Sequence, residues 1–288
     1  MIETSSELAA LRARIGEWKR SGLRVGFVPT MGNLHAGHHS LVALSRQHAD
    51  RVVASVFVNP TQFGPTEDFA RYPRTPVADA AGLQASGCDL LWLPSVETMY
   101  PFGPEATVQV RVPGVTGTLE GAHRPGHFDG VATVVARLFN QVQPDIAVFG
   151  RKDYQQLAVI RYLARDLAFP VEIIAGETLR EADGLAMSSR NQYLSAGERQ
   201  VAPTIHRTLR AMADAIRAGT PRADVEAQAA GDLAAAGFTV HYSVVRRPDL
   251  AEPQDGERGS RVALIAARLG RTRLIDNILF DSRELAVG

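Results

Sequence analysis

The feature that most constrains this chain is a rhythm. Short apolar runs recur, each closed by a glycine or proline turn and followed by residues with helical spacing. Arg24 to Val28 is such a run, stopped by Pro29. Asp50 to Phe57, Asp89 to Leu93, Asp145 to Phe149 and Val171 to Ala175 are the others. Between them lie apolar-periodic stretches: one from His38 to about Gln47, then Pro76 to Ser86, Val131 to Val142 and Tyr154 to Leu167. An earlier one, Thr4 to Arg20, carries Leu8, Leu11, Ile15 and Trp18 on one face. Brief apolar runs read as strands buried on both faces, and alternation with helices predicts right-handed crossovers. The expectation is an α/β fold with a doubly wound parallel sheet.

Beyond about residue 185 the pattern changes. Ser195-Ala-Gly-Glu198 is a capping-box signature that opens a helical stretch to Ala218. Thr220-Pro221 begins another, ending near Gly237. Phe238 to Val245, Arg261 to Ala267 and Arg271 to Ile275 are strand-like. The division expected is a sheet domain over 1–185 and a smaller α+β domain over 186–288.

Composition removes several function classes. The 288 residues contain 31 Lys plus Arg and 31 Asp plus Glu, so no net field draws the chain to nucleic acid or anionic lipid. No run approaches a membrane span, and the polar, amphipathic N-terminus lacks the apolar core of a signal peptide. The single cysteine, Cys88, excludes an internal disulfide and a cysteine-based zinc site, and it reads as a buried thiol beside a strand. A cytoplasmic protein is expected.

The turns carry the chemistry. After Pro29 the chain runs Thr30-Met31-Gly32-Asn33-Leu34-His35-Ala36-Gly37-His38 into a helix. A strand feeding a helix through a glycine turn aims helix N–H groups at the sheet edge, where they and the helix dipole favour an anion. Histidines there donate to phosphate oxygens and charge when negative charge develops. They could also serve only as caps. After the second run, Asn59, Thr61 and Gln62 stand at the carboxyl edge of a parallel sheet, where ligands bind, although Asn59-Pro60 could simply stop the strand. Phe149-Gly150-Arg151-Lys152-Asp153 repeats the strand–glycine–helix arrangement, with Gln156 in the first helical turn. Lys152 there either rides on a phosphate or belongs to a capped surface helix. Met187-Ser188-Ser189-Arg190 adds two hydroxyls and a bidentate cation. Arg124-Pro125-Gly126-His127-Phe128 is a cationic loop, facing either a substrate or solvent. Many donors, few carboxylates and no evident nucleophile suit phosphoryl or nucleotidyl transfer. No Walker, Rossmann glycine or Gly-x-Ser-x-Gly motif occurs.

Five blocks now stand in order: Pro29 to His38, Phe57 to Phe63, Arg124 to Phe128, Phe149 to Gln156 and Met187 to Asn191. Together they resemble the pantothenate synthetase (pantoate–β-alanine ligase) family, nucleotidyltransferases with a His-x-Gly-His turn. The resemblance implies a Rossmann-like sheet domain, a C-terminal lid domain, a homodimer, and ATP and Mg²⁺ in use. It implies adenylation of (R)-pantoate with loss of pyrophosphate, then attack by β-alanine to give pantothenate and AMP. By the matching motifs, Met31, Gly32, Asn33, Leu34, His35, Ala36, Gly37 and His38 would border ATP, with His38 the candidate proton donor. Gly150, Arg151, Lys152, Asp153, Leu179, Met187, Ser188, Ser189 and Arg190 would complete the ATP site. Lys152, Ser188, Ser189 and Arg190 would stabilise phosphate charge. Gln62 and Gln156 would hold pantoate, with Asn59 beside them. No metal ligands are assigned. The chain departs from the family's usual residues at Arg151 (Glu), Ala36 (often Glu), Leu179 (commonly Val) and His39 (Leu).

Two rivals remain at this stage. A cytidylyltransferase or class I aminoacyl-tRNA synthetase shares such turns, but a tRNA partner calls for a basic face and an added domain. A nucleotide-binding protein without catalysis has no need of His35, His38, Lys152 and Arg190 together.

Overall fold

The computed structural model describes residues 2–64, 69, 72–254 and 256–283. The last residues of the expected second domain, 284–288, lie outside them. The chain forms two compact units, one of residues 1–151 and 155–177 and one of residues 152–154 and 178–288.

The first unit holds a six-stranded parallel sheet. Its strands are β1 (Glu3–Ser5), β2 (Val25–Thr30), β3 (Arg51–Val56), β4 (Leu90–Trp92), β5 (Ile146–Gly150) and β6 (Glu172–Gly176). The order across the sheet is β1-β4-β3-β2-β5-β6. Strands therefore step outward from β2 to β4 on one side and from β5 to β6 on the other. The winding reverses between β2 and β5, where Gly26 stands opposite Ile146 and Phe27 opposite Ala147. Ligands in such sheets bind beyond the carboxyl ends of the two strands at that reversal.

Side chains sort by the two-residue period of a strand. Val25 and Phe27 of β2, Val53 of β3, and Ala147 and Phe149 of β5 join one core, with α1 (Leu8–Arg20), α6 (His127–Val142) and α7 (Tyr154–Asp166). Val28, Val52, Ala54, Ile146 and Val148 point the other way, to α2 (Ala36–His48) and α3 (Pro76–Ala85). Cys88 lies in this second core, and burial pushes its thiol up to about 12.

The sheet has one strand more than the sequence rhythm predicts. β1 overlaps the start of the stretch Thr4 to Arg20 read as a helix, and it exists because Glu3, Thr4 and Ser5 pair with Leu90, Leu91 and Trp92. One other reading also changes. The short helix α5 (Glu120–His123) precedes Arg124, and within Arg124 to Phe128, read above as a loop, His127 and Phe128 already belong to the first turn of α6. The short helix α4 (Val96–Met99) follows β4, capped by Ser95, whose hydroxyl accepts from Thr98 N–H.

In the second unit, β7 (Phe238–Arg246), β8 (Ser260–Leu269) and β9 (Thr272–Asp281) form an antiparallel sheet in that order. It is packed against α9 (Thr204–Arg217) and α10 (Arg222–Ala235) through Leu209, Met212, Val225 and Leu233. α8 (Ala196–Val201) carries the expected capping box between Ser195 and Glu198, and Pro203 separates it from α9. The unit's main segment runs from Thr178, where a start at 186 was expected; within residues 178–185, Arg180 pairs with Asp276 of β9 and Leu185 is buried in this unit's core. Among the described residues no helix is long and apolar enough to cross a membrane.

Candidate active site

Beyond β2, the turn 31–35 and the start of α2 are held by three internal devices. The first is a reciprocal cap. His35 is the residue before α2, and its Nδ1 accepts from Gly37 N–H at 3.1 Å. His38 reciprocates, its Nδ1 accepting from His35 N–H at 3.3 Å. This is a capping box built from two imidazoles instead of Ser and Glu. A ring nitrogen that accepts carries no proton, so this pattern assigns the proton of each neutral ring to Nε2. The rings stand 4.2 Å apart between centroids, tilted by 48°.

The second device is Asp79, a residue of α3 that sequence reasoning passed over. It is 3% exposed. Its Oδ1 accepts from Leu34 N–H at 2.9 Å and from the Thr75 hydroxyl at 3.0 Å, and its Oδ2 from Asn33 N–H at 3.1 Å. The turn it grips needs gripping, because Gly32 and Asn33 sit at φ +84° and +52°. Gly32 is required there twice over, since a Cβ would meet both Asp79 and Val56 at 3.1 Å. The amides expected to face an anion are therefore engaged: two by Asp79, one by the Thr30 hydroxyl at 3.3 Å, and those of His35 and Gly37 by the two rings. What the turn presents is its side chains.

The third device lies beyond β3. Asn59 is 1% exposed and fully used. Its Oδ1 accepts from Tyr100 Oη at 2.6 Å and from Thr61 N–H at 3.3 Å. Its Nδ2 donates to Gln62 Oε1 at 3.1 Å and to Gly130 O at 3.2 Å. Asn59 therefore orients Gln62, and its side chain keeps no group for a substrate. Gln62 in turn donates to Met31 Sδ at 3.0 Å, which joins this edge to the turn after β2. Gln62 O contacts His127 Nδ1 at 2.8 Å, and Arg124 stands 2.9 Å from His127 Nε2, so Arg124 and His127 brace Gln62 from behind. Helix α6 comes so close that a Cβ on Gly130 would overlap the Thr61 carbonyl and Gln62 Cα. Burial raises the Tyr100 phenol above its usual range, which keeps it a neutral donor to Asn59.

Of the two adjacent glutamines on α7, Gln155 is structural. It is 3% exposed; its Oε1 accepts from Glu120 N–H, and its Nε2 donates to Val115 O and Thr118 O. Gln156 is half-buried, and no contact with described residues ties down its amide. Gly150 ends β5, and Arg151 pairs with Glu177 Oε1 at 2.6 Å. The positive charge standing where the family usually has Glu is thus matched by a carboxylate at the end of the neighbouring strand. His39 lies against Gly82 of α3, and its Nδ1 is 3.0 Å from the Ser86 hydroxyl, so this departure is accommodated by packing. Ala36 is exposed.

The remaining candidates belong to the second unit. Lys152 has a side chain 17% exposed, and its ammonium is 3.7 Å from Asp153 Oδ2. Its carbonyl accepts from Asn277 Nδ2 at 2.8 Å. Leu179 and Met187 face each other across a hairpin, Met187 N–H donating to Leu179 O at 2.9 Å. Ser188 caps the 3-10 turn Ser189–Tyr193, its hydroxyl accepting from Arg190 N–H at 3.2 Å. Arg199 clamps the hairpin through Glu181 at 2.7 Å and Asp183 at 2.5 Å, and it holds the Asp183 carboxyl below its ordinary range.

Comparison with known proteins adds to this geometry. Residues 3–279 match the family model described as pantoate-beta-alanine ligase. The pantothenate synthetase of Xanthomonas axonopodis pv. citri (strain 306) is 67% identical over 280 residues, covering 97% of this chain and 100% of that protein. That of Stenotrophomonas maltophilia (strain K279a) is 66% identical over 281 residues, with the same coverage. Among solved structures, pantothenate synthetase from Thermus thermophilus is 48% identical with a TM-score of 0.89, covering 96% of this chain and 99% of that one. Pantoate-beta-alanine ligase from Francisella tularensis, complexed with beta-gamma ATP and beta-alanine, is 30% identical with a TM-score of 0.81, covering 97% and 98%.

Proposed function

The chain belongs to the pantoate-beta-alanine ligase family, and from that premise we propose how its own residues carry out the ATP-dependent joining of pantoate to β-alanine. In the first step a pantoate carboxylate oxygen attacks the α-phosphorus of ATP and the bond to pyrophosphate breaks. In the second the β-alanine amine attacks the acyl carbon, the bond to AMP breaks and the amine loses a proton. Neither step needs a covalent enzyme intermediate. The work is orientation, charge stabilisation and exclusion of water from a mixed anhydride.

The observation that supports these roles best is the reciprocal histidine cap. It anchors the Nδ1 atoms of His35 and His38, which puts the proton of each neutral ring on Nε2. We assign both to ATP phosphate oxygens, with His38 as the proton donor. The rest of the turn, Met31 to Gly37, borders the nucleotide. Gln62, oriented by Asn59 and Met31, is assigned to the pantoate hydroxyl and carboxylate, and Gln156 to the same substrate. Gly150, Arg151, Asp153, Leu179 and Met187 are assigned to the nucleotide. Lys152, Ser188, Ser189 and Arg190 are assigned to the phosphates, where negative charge moves onto the departing pyrophosphate.

Mg²⁺ is part of the proposal. Among the described residues no cluster of three or more His, Cys, Asp or Glu forms a metal cage. The proposed ion would be held chiefly by nucleotide oxygens and would neutralise phosphate charge. A homodimer working in the cytoplasm completes the reading, supported by the family resemblance.

The test measures pyrophosphate and AMP with ATP and Mg²⁺, first with (R)-pantoate alone and then with β-alanine added. Pyrophosphate from pantoate alone, with sustained AMP only after β-alanine, is the expected result. Silence in both, from a folded protein, overturns it. Nucleotide binding without pyrophosphate release would favour a binding protein instead. Lys152→Ala should lower kcat by about 10²-fold or more while leaving pantoate binding nearly unchanged.

A further inference from the structure

We propose that Asp276 and Asn277 of β9 are positioning residues for the phosphate-facing groups of the second unit, through one chain of hydrogen bonds from the 179–187 hairpin to the peptide of Lys152. The proposal rests on the roles assigned above to Lys152, Ser188, Ser189 and Arg190.

The chain of contacts is continuous. Arg180, on the hairpin, binds Asp276 with both arms, Nη1 to Oδ2 at 2.6 Å and Nη2 to Oδ1 at 3.0 Å. The same guanidinium donates to Gly184 O at 3.1 Å, bracing the hairpin turn, and to Asn277 O at 3.3 Å. Asp276 Oδ1 accepts from Asn277 N–H at 2.8 Å. Asn277 Nδ2 then donates to Lys152 O at 2.8 Å. The hairpin itself is closed by Glu181 N–H to Leu185 O and Met187 N–H to Leu179 O, so a fixed Arg180 fixes the strand that leads into Ser188.

Sheet stability alone does not call for these residues. Each is 4% exposed, opposite Ile265 and Leu264 of β8. Asp and Asn are poor strand formers, and burying them costs free energy unless every polar group is paired. An apolar pair would serve a packed strand better. The use of Asp and Asn here is explained by what they grip. Consecutive residues of one strand hold the backbone of Lys152 and the root of the Ser188–Arg190 loop, so β9 sets the spacing of the ammonium and the guanidinium. Groups that stabilise a departing pyrophosphate must be placed in advance, and a displacement of about 1 Å costs on the order of 10²-fold in rate.

The experiment is a double-mutant cycle on pantoate-dependent pyrophosphate release, using the full chain with Asn277→Ala, Lys152→Ala and both together. Asn277→Ala is expected to lower kcat about tenfold or more, with the pantoate KM within about twofold and the melting temperature near that of the parent. The double variant is expected to lose no more than Lys152→Ala alone, because Asn277 acts through Lys152. Parent turnover in Asn277→Ala, or losses that multiply in the double variant, overturns the proposal. Parent turnover in Lys152→Ala is a failure of the role given to Lys152, and the proposal falls with it. Should Asn277→Ala fail to fold, Asn277→Val, a good strand former with no side-chain donor, goes through the same cycle with the same readings.

Discussion

Replacing Asp79 by Asn changes one atom in a buried side chain, and its effect can be worked from the contacts. The carboxylate accepts three hydrogen bonds: from Leu34 N–H and Thr75 on Oδ1, and from Asn33 N–H on Oδ2. An asparagine keeps one acceptor oxygen. Its better orientation keeps Leu34 and Thr75 and turns an NH₂ toward Asn33 N–H, donor against donor. Hydrogen bonds to a charged group contribute about 1.5–3 kcal/mol each, against about 1 kcal/mol for neutral ones. The variant loses one such bond and weakens two, while it no longer buries a charge. The net loss is about 2 kcal/mol, or roughly 4–8 °C in the melting temperature of a unit of this size. The turn then relaxes from its positive-φ conformation, Met31 and His35 shift, and pyrophosphate release falls by about 10²-fold if the shift reaches about 1 Å. Thr75→Ala is the control: it removes one hydroxyl donor and leaves both amide bonds, so less than about 1.5 kcal/mol is expected. Thermal unfolding and steady-state pyrophosphate release on both variants decide the matter. An Asp79→Asn protein with parent melting temperature and turnover would refute the argument that this carboxylate holds the turn.

Other perturbations follow from the same geometry. Gly130→Ala places a methyl into the Thr61 carbonyl and the Gln62 backbone, so pantoate KM should rise and stability should fall by about 1–3 kcal/mol, read by kinetics and denaturant unfolding. His206 is held below its ordinary value of 6.5 by burial first and then by Arg180. A depressed folded value means that the unfolded chain takes up a proton the folded one refuses. Stability should therefore be complete above about pH 6.5 and decline as pH falls toward the folded value, and His206→Gln should flatten that decline below about pH 6.5 in melting curves. Cys88, buried with its thiol pushed up to about 12, should resist alkylation at neutral pH until the protein is unfolded, as thiol titration with and without denaturant would show.

The sheet was legible because strands buried on both faces are largely apolar: β4 and the buried parts of β2, β3 and β5 follow that rule, and β6, although its Glu172 is exposed, keeps the apolar run Ile173 to Ala175. β1 was not. Three residues, Glu3 to Ser5, carry no period, and their strand character comes entirely from pairing with β4. The first turn of α6 was hidden for a similar reason: Gly126 at φ +78° precedes it, and His127 is anchored by Gln62 O. Within the candidate site the motif residues stood out by type and spacing. Their supports did not. Asp79 reads as an ordinary acidic residue near a helix start, and Asn277 lies past Ile275, where the last strand was expected to end, although β9 runs on to Asp281. Asn59 misled in the opposite direction, because an amide at a sheet edge looks the same whether it faces a ligand or, as here, spends its groups on Tyr100, Gly130 and Gln62.

The paired imidazoles at the start of α2 also bear on how such a site can change over generations. Each ring depends on the backbone of the other residue's turn, so neither position is an independent letter. A single replacement breaks the clasp and frays the helix. The usual pairing of a hydroxyl with a carboxylate, reached by His35→Ser together with His38→Glu, would start the helix equally well. It would also set a negative charge where phosphate is proposed to lie. On that proposal, the path from one version to the other crosses single variants that start the helix poorly, and the double variant is expected to fold but to lack pyrophosphate release. That double replacement offers a folded reference protein in which helix formation and chemistry are separated.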